Sequence, residues 1–130
     1  MNETAIEYPE VEAALSEADL KRFFAALAAS LSARIAAAWS SRAGTIRALA
    51  DGFVESATVD IARWSGMLSA GIISAQDYQW LVRGRSDVAE ITALSTAGLT
   101  RSQVDRFRTM LVETIVATAL AELLGQVNQD

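Results

Sequence analysis

Three short segments of this 130-residue chain share one layout: Leu15-Ser16-Glu17-Ala18-Asp19-Leu20, Ile73-Ser74-Ala75-Gln76-Asp77-Tyr78 and Leu99-Thr100-Arg101-Ser102-Gln103-Val104. In each, a Ser or Thr is followed three residues later by an Asp or Gln able to reach back to its amide, and apolar residues bracket the pair. This is a capping box with a hydrophobic staple, which gives partners to the N–H groups that a helix start leaves unbonded. Ser16, Ser74 and Thr100 are therefore expected as helix caps. Two of the starts follow Gly71-Ile72 and Gly98-Leu99, pairs suited to a Schellman ending of the helix before. No segment shows the strict alternation of a half-buried strand. The helices downstream differ in length and pattern, so the shared layout is punctuation and not a tandem repeat.

Between the starts the apolar spacing is helical. Leu20, Phe23, Phe24, Leu27, Leu31, Ile35 and Trp39 recur at steps of three and four, with mostly Ala and Ser between them, so a neighbouring backbone can approach closely. Ser40-Ser41-Arg42-Ala43-Gly44-Thr45 interrupts the pattern and predicts a break. Ile46, Leu49, Phe53, Ala57, Ile61, Trp64 and Leu68 then predict one further stripe up to Gly71. The helix after Ser74 carries Tyr78, Leu81 and Val82. Gly84 predicts a bend or restart, with Asp87 and Glu90 placed to cap a segment bearing Val88, Ile91 and Leu94. The last helix is expected from about Arg101 to Gly125. Short connections at Gly71-Ile72-Ile73 and Gly98-Leu99 complete the expectation of an all-α fold. It is an antiparallel helical bundle of about four main helices plus a short N-terminal helix opened by Pro9. Residues 1–15 are expected to form an acidic arm and residues 16–130 one bundle domain.

Composition narrows the chemistry. The chain has neither cysteine nor histidine, which removes disulfides, thiolate and imidazole ligands, the Cys nucleophile and the commonest general base. Carboxylates, Lys21, arginines, hydroxyls and phenols remain, in no recognised catalytic spacing. The lone Gly84 between arginines lacks the spacing of a phosphate loop. The chain is thus expected to be no enzyme, with no catalytic, cofactor-binding or metal-binding residues. Its formal charge of −5 is concentrated at one end. Glu3, Glu7, Glu10, Glu12, Glu17 and Asp19 place six acids and no base in the first nineteen residues, leaving ten acids against eleven bases in the remainder. With no basic stripe to follow a phosphate backbone, nucleic-acid binding is disfavoured. Glu3 and Glu7 stand where a secretory signal needs bases, so a cytoplasmic or virion-associated protein is expected. Phe23 to Trp39 is the most membrane-like stretch, but it is dominated by Ala and holds Arg34, so membrane insertion is disfavoured.

Function is sought in side chains that the core does not obviously need. The last helix is apolar over more than half its circumference: Phe107, Leu111 and Ile115 line one face, and Val112, Val116, Leu120, Leu123 and Val127 another. Either it is a central helix covered by its own bundle, or its second face meets a partner. Trp39 and Trp64 fit their stripes and read as core. Tyr78 and Trp80 point to nearly opposite sides of one helix, so one of them meets something else, and with Arg83 and Arg85 they form a candidate outward surface. Three charges interrupt apolar stripes. Asp60 is expected to pair structurally with Arg85, Glu122 to reach solvent, and Arg34 has no nameable partner. The favoured function is a structural or assembly protein of bacterial or phage type. It self-associates through the apolar last helix, at Val112, Val116, Leu120 and Leu123, and through the Ala-rich helix that carries Phe23 to Trp39, while Tyr78, Trp80, Arg83 and Arg85 remain the candidate outward contact surface. The alternatives are a small acidic adaptor or inhibitor of another protein, and a membrane-active helical protein.

Overall fold

The computed structural model describes residues 15–87 and 98–125. The short helix expected before Leu15, the restart carrying Val88, Ile91 and Leu94, and Val127 lie outside the described residues. Among the described residues all regular structure is helical.

Helix α1, Glu17–Ala38, opens on the Ser16 box. The Asp19 amide donates to Ser16 Oγ (3.0 Å) and the Ser16 amide donates to Asp19 Oδ2 (3.2 Å). That backbone donor, together with Arg22 and the Ser16 hydroxyl, holds the Asp19 carboxyl below its usual range. Phe23, Leu27, Leu31 and Ile35 are its buried stripe, continued by Trp39. The break predicted at 40–45 is a 3₁₀ turn, Ser40–Arg42, after which α2 runs Ala43–Ser56.

The stripe from Ile46 to Leu68 is not one helix. It breaks at Ala57 (φ −104°, ψ 8°), and α3 begins at Thr58 and runs to Ser69. Hydroxyls flank the break: Ser56 Oγ donates to the Phe53 carbonyl (3.0 Å) and Thr58 Oγ1 to that of Val54 (2.7 Å). Such back-bonding offers the carbonyls an alternative to the regular ladder and bends helices. At the far end of α3 the Ile72 amide bonds the Met67 carbonyl (2.9 Å) and the Gly71 amide that of Leu68 (3.1 Å). This is the Schellman pair, and it requires the left-handed backbone that Gly71 adopts at φ 78°.

Helix α4, Ala75–Arg85, opens on the Ser74 box and ends one residue past Gly84, with a turn at Ser86 before Asp87, within the stretch where a bend or restart was expected. Helix α5, Arg101–Leu124, opens on the Thr100 box and stops at Gly125 in the left-handed region. It packs most extensively on α1, then on α4, and also touches α3, while α2 lies against α1 and α4 against α3. Buried apolar side chains from all five helices join in one cluster. No helix among the described residues is long and apolar enough to cross a membrane.

Candidate interaction surface

Three arginines are spent on holding helix ends. A helix leaves its last carbonyls unbonded, and α3 and α5 solve this with left-handed glycines, whereas α1, α2 and α4 have none. At each of these three ends an arginine from another helix donates to a carbonyl. Arg106 Nη2 of α5 reaches the Ala38 carbonyl at the end of α1 (3.4 Å), with its guanidinium 4.3 Å from the centroid of the Trp39 ring. Arg85 Nη2 donates to the Ser56 carbonyl (2.9 Å) while its Nε bonds Asp60 Oδ2 (3.2 Å). Arg108 Nη2 donates to the Arg83 carbonyl (3.0 Å), its Nε to Ser86 Oγ (2.8 Å), and it pairs with Asp87. Cations at helix C-termini also suit the helix dipole.

Arg85, expected both as an ion-pair partner and as an outward contact, is thus engaged within the chain, with its side chain 25% exposed. Arg63 adds a second cation to Asp60 (2.8 Å). Truncating Arg85 breaks the ion pair and the carbonyl clamp together. Arg85→Ala is expected to cost about 1–2 kcal/mol, and Asp60→Ala about 1 kcal/mol, since half-exposed pairs exceed the surface median only modestly. Urea denaturation measures both, and a cost below about 0.5 kcal/mol for each would mean that the clamp is idle.

The opposition of Tyr78 and Trp80 resolves in one direction. Tyr78 is fully buried, its hydroxyl 2.9 Å from Ser65 Oγ, itself buried on α3, and burial pushes the phenol up to about 12. Trp80 is 74% exposed. Tyr78 therefore leaves the candidate surface.

The second face of α5 is corrected as well. Val112 is 4% exposed, beside Gln79 and Arg83 of α4, so the chain's own fourth helix covers it. Val116, Leu120 and Leu123 are partly buried against the same core. A helix in contact with α1, α3 and α4 at once has no broad side left for a partner, which is why its apolar excess does not emerge at the surface. Glu122 is exposed, and Arg34, flanking the α1 stripe, is exposed too.

Arg34 instead rims a shallow groove of about 520 Å³ between the end of α1 and α5. Its other walls include Trp39, Arg106, Met110, Asp105 and Glu113, so charges of both signs cancel around an apolar floor. Among the described residues no group of acids could hold a metal ion, and no buried side-chain polar atom lacks a hydrogen-bond partner. The buried hydroxyls of Ser65, Ser86 and Thr114 are each hydrogen-bonded within the chain.

What remains is the outer face of α4. Gln76, Asp77, Gln79, Trp80, Arg83 and Gly84 are all exposed. The Arg83 guanidinium has no partner among the described residues, and a Cβ added at Gly84 would meet nothing within 4 Å. A glycine inside a helix costs close to 1 kcal/mol against alanine, and no contact among the described residues requires one here. Trp80, Arg83 and Gly84 share one helical face. No protein-family model matches the chain, and the comparisons with curated proteins and with solved structures found no match.

Proposed function

We propose that this chain is a non-enzymatic assembly module whose described helices form an antiparallel bundle and which self-associates through the outer face of α4. The single observation behind this reading is Trp80, 74% exposed at the centre of a face that carries both an acid, Asp77, and a base, Arg83. A large indole held in water is the residue type that anchors interfaces, and a face bearing both signs of charge can complement its own copy. The antiparallel arrangement is supported by the clamps: Arg106 and Arg108 near the start of α5 reach the ends of α1 and α4, and Arg85 at the end of α4 reaches Asp60 at the start of α3. Residues 1–15 serve as an acidic arm to the domain 16–130, in a cytoplasmic or virion-associated setting.

Two eleven-residue helices bury little area, so the contact belongs with the small interfaces below about 1,200 Å² that give weak association. Sedimentation velocity is expected to show a monomer–dimer equilibrium with Kd on the order of 10–100 μM. A monomer at all concentrations up to about ten times that range would exclude the reading. The adaptor reading draws on the six acids that precede Leu20. It requires binding of a basic protein surface to disappear when residues 1–15 are deleted, whereas self-association through α4 survives that deletion.

A further inference from the structure

We infer that the joint at Ala57 is a hinge latched by Arg85, and that on release α2 and α3 straighten into one helix over residues 43–69, through which two copies of this chain exchange their α3–α5 units. This association is separate from the contact proposed for the outer face of α4.

The local sequence favours a continuous helix. Helices α1, α4 and α5 open on capping boxes, and α3 and α5 stop at left-handed glycines, but the joint has neither device. The cap residue of α3 is Ala57, without a side-chain bond, and alanine is a poor N-cap and the best interior helix former. No glycine or proline occurs from Phe53 to Ser65, and the apolar stripe keeps its helical period across the joint. Even the ladder crosses it in part. The Ala57 amide bonds the Phe53 carbonyl (2.9 Å) and the Ile61 amide bonds the Ala57 carbonyl (2.8 Å). In a continuous helix the carbonyls of Val54 and Ser56 would accept from the amides of Thr58 and Asp60. Among the described residues neither of those bonds is formed, and the two carbonyls accept from Thr58 Oγ1 (2.7 Å) and Arg85 Nη2 (2.9 Å) in their place.

Of these substitute donors, Arg85 alone comes from outside α2 and α3, and Asp60 holds its guanidinium in place. Straightening returns the Ser56 carbonyl to the Asp60 amide, so the clamp belongs to the bent form. The Arg85–Asp60 pair lies wholly within α3–α5 and survives the change. Helices α2 and α3 make few contacts with each other, α2 packs on α1, and the principal contact between the two halves of the chain is α1 against α5. Opening at Ala57 therefore forfeits chiefly the α1–α5 contact. Only a second copy carries an α5 that fits this α1, and exchange restores the contact residue for residue. Both joints of the dimer straighten, so any preference for one form of the joint counts twice. Because the α1–α5 contact must open on the way, the exchanged dimer forms and separates slowly.

The test uses the full chain carrying Trp80→Ala, which removes the anchor of the α4 face. Samples at millimolar concentration are equilibrated in urea near the unfolding midpoint, returned to buffer, diluted to micromolar and separated by size exclusion. A dimer that persists on dilution is expected. Arg85→Ala is expected to raise its equilibrium constant by about tenfold or more, since a bond from a charged donor is lost from the bent form at each joint. Ala57→Gly is expected to lower it by about tenfold or more, because glycine is far less costly at an N-cap than inside a helix. Val112→Ala weakens the packing of α5 on α4 in both forms alike, so it should leave the constant unchanged and separate release of the latch from general loss of stability. The chain has no cysteine, so spin labels at Ala48→Cys and Ala70→Cys report the joint alone. With labelled chain diluted into unlabelled, their backbone separation in the dimer is expected at about 33 Å, the rise of a continuous helix between the two positions, and shorter in the monomer. A persistent dimer whose labels keep the monomer's distance would overturn the hinge, and so would an Arg85→Ala chain that stays monomeric throughout. The α4 contact is judged apart from this: it falls if the chain with Trp80 intact shows no rapid, dilution-sensitive association, whatever the persistent dimer does.

Discussion

Phe107→Ala is expected to cost about 3–5 kcal/mol, a large part of the ~5–15 kcal/mol that holds a domain of this size together. Phe107, Leu111 and Ile115 have no exposed surface, and they lie along the helix that meets α1, α3 and α4. Removing the ring leaves a cavity that three rigid neighbours cannot close, so the lost transfer energy and the void add. Thr114 on the same helix is buried, and its hydroxyl donates to the Met110 carbonyl (2.7 Å). Chemical denaturation should show the midpoint fall steeply with sedimentation at low concentration unchanged. Val112→Ala carries the sharper contrast. Were Val112 an interface residue, its truncation would weaken association and spare the fold; covered by α4, it is expected to cost about 2 kcal/mol of folding stability and leave association alone. Trp80→Ala should do the reverse, changing stability by less than about 0.5 kcal/mol while weakening the dimer.

The difference between what could be read from residues and what could not follows the sequence distance of the interactions. Ser16, Ser74 and Thr100 were legible because each capping box closes within four residues and both partners are side chains with a known spacing. The 3₁₀ turn at Ser40–Arg42 was legible because the apolar stripe lapses there. The break at Ala57 was not. It falls within an unbroken stripe, with no glycine or proline beside it, and Ser56 gives its carbonyl to an arginine 29 residues away. The Arg106 bond to Ala38 spans 68 residues and ends on a backbone atom, which no pattern of side chains can announce. One local signal did exist: α1, α2 and α4 end without a glycine in the left-handed conformation, and a helix end without one needs a donor from elsewhere. Read that way, Arg85, Arg106 and Arg108 are candidates for clamps before they are candidates for partners. For Tyr78 and Trp80 the spacing showed that they oppose each other; which one turns inward depends on Ser65, thirteen residues upstream on α3.

That Ser65–Tyr78 pair carries the second large effect, and it is felt most strongly in alkali. Below about pH 10 the phenol is protonated in both the folded and the unfolded chain and contributes no pH dependence. Between 10 and about 12 the unfolded chain releases the proton while the buried, folded phenol keeps it, so unfolding gains a proton release that folding lacks. Stability should fall by up to about 1.4 kcal/mol for each pH unit in this window, about 3 kcal/mol in all, and level off above it. Tyr78→Phe has no proton to lose and should remove the slope, which unfolding in urea at a series of pH values between about 9 and 12 would show. At neutral pH the same pair gives a double-mutant cycle. Ser65→Ala leaves the Tyr78 hydroxyl buried without a partner and should cost about 1–3 kcal/mol. Adding Tyr78→Phe to that background removes the orphaned group and should recover most of the loss, since replacing both partners by apolar groups of similar shape is close to neutral. A double variant no more stable than Ser65→Ala would mean that the hydroxyls contribute through packing alone, and that the choice of Tyr78 over Trp80 for the interior was made by shape without help from the hydrogen bond.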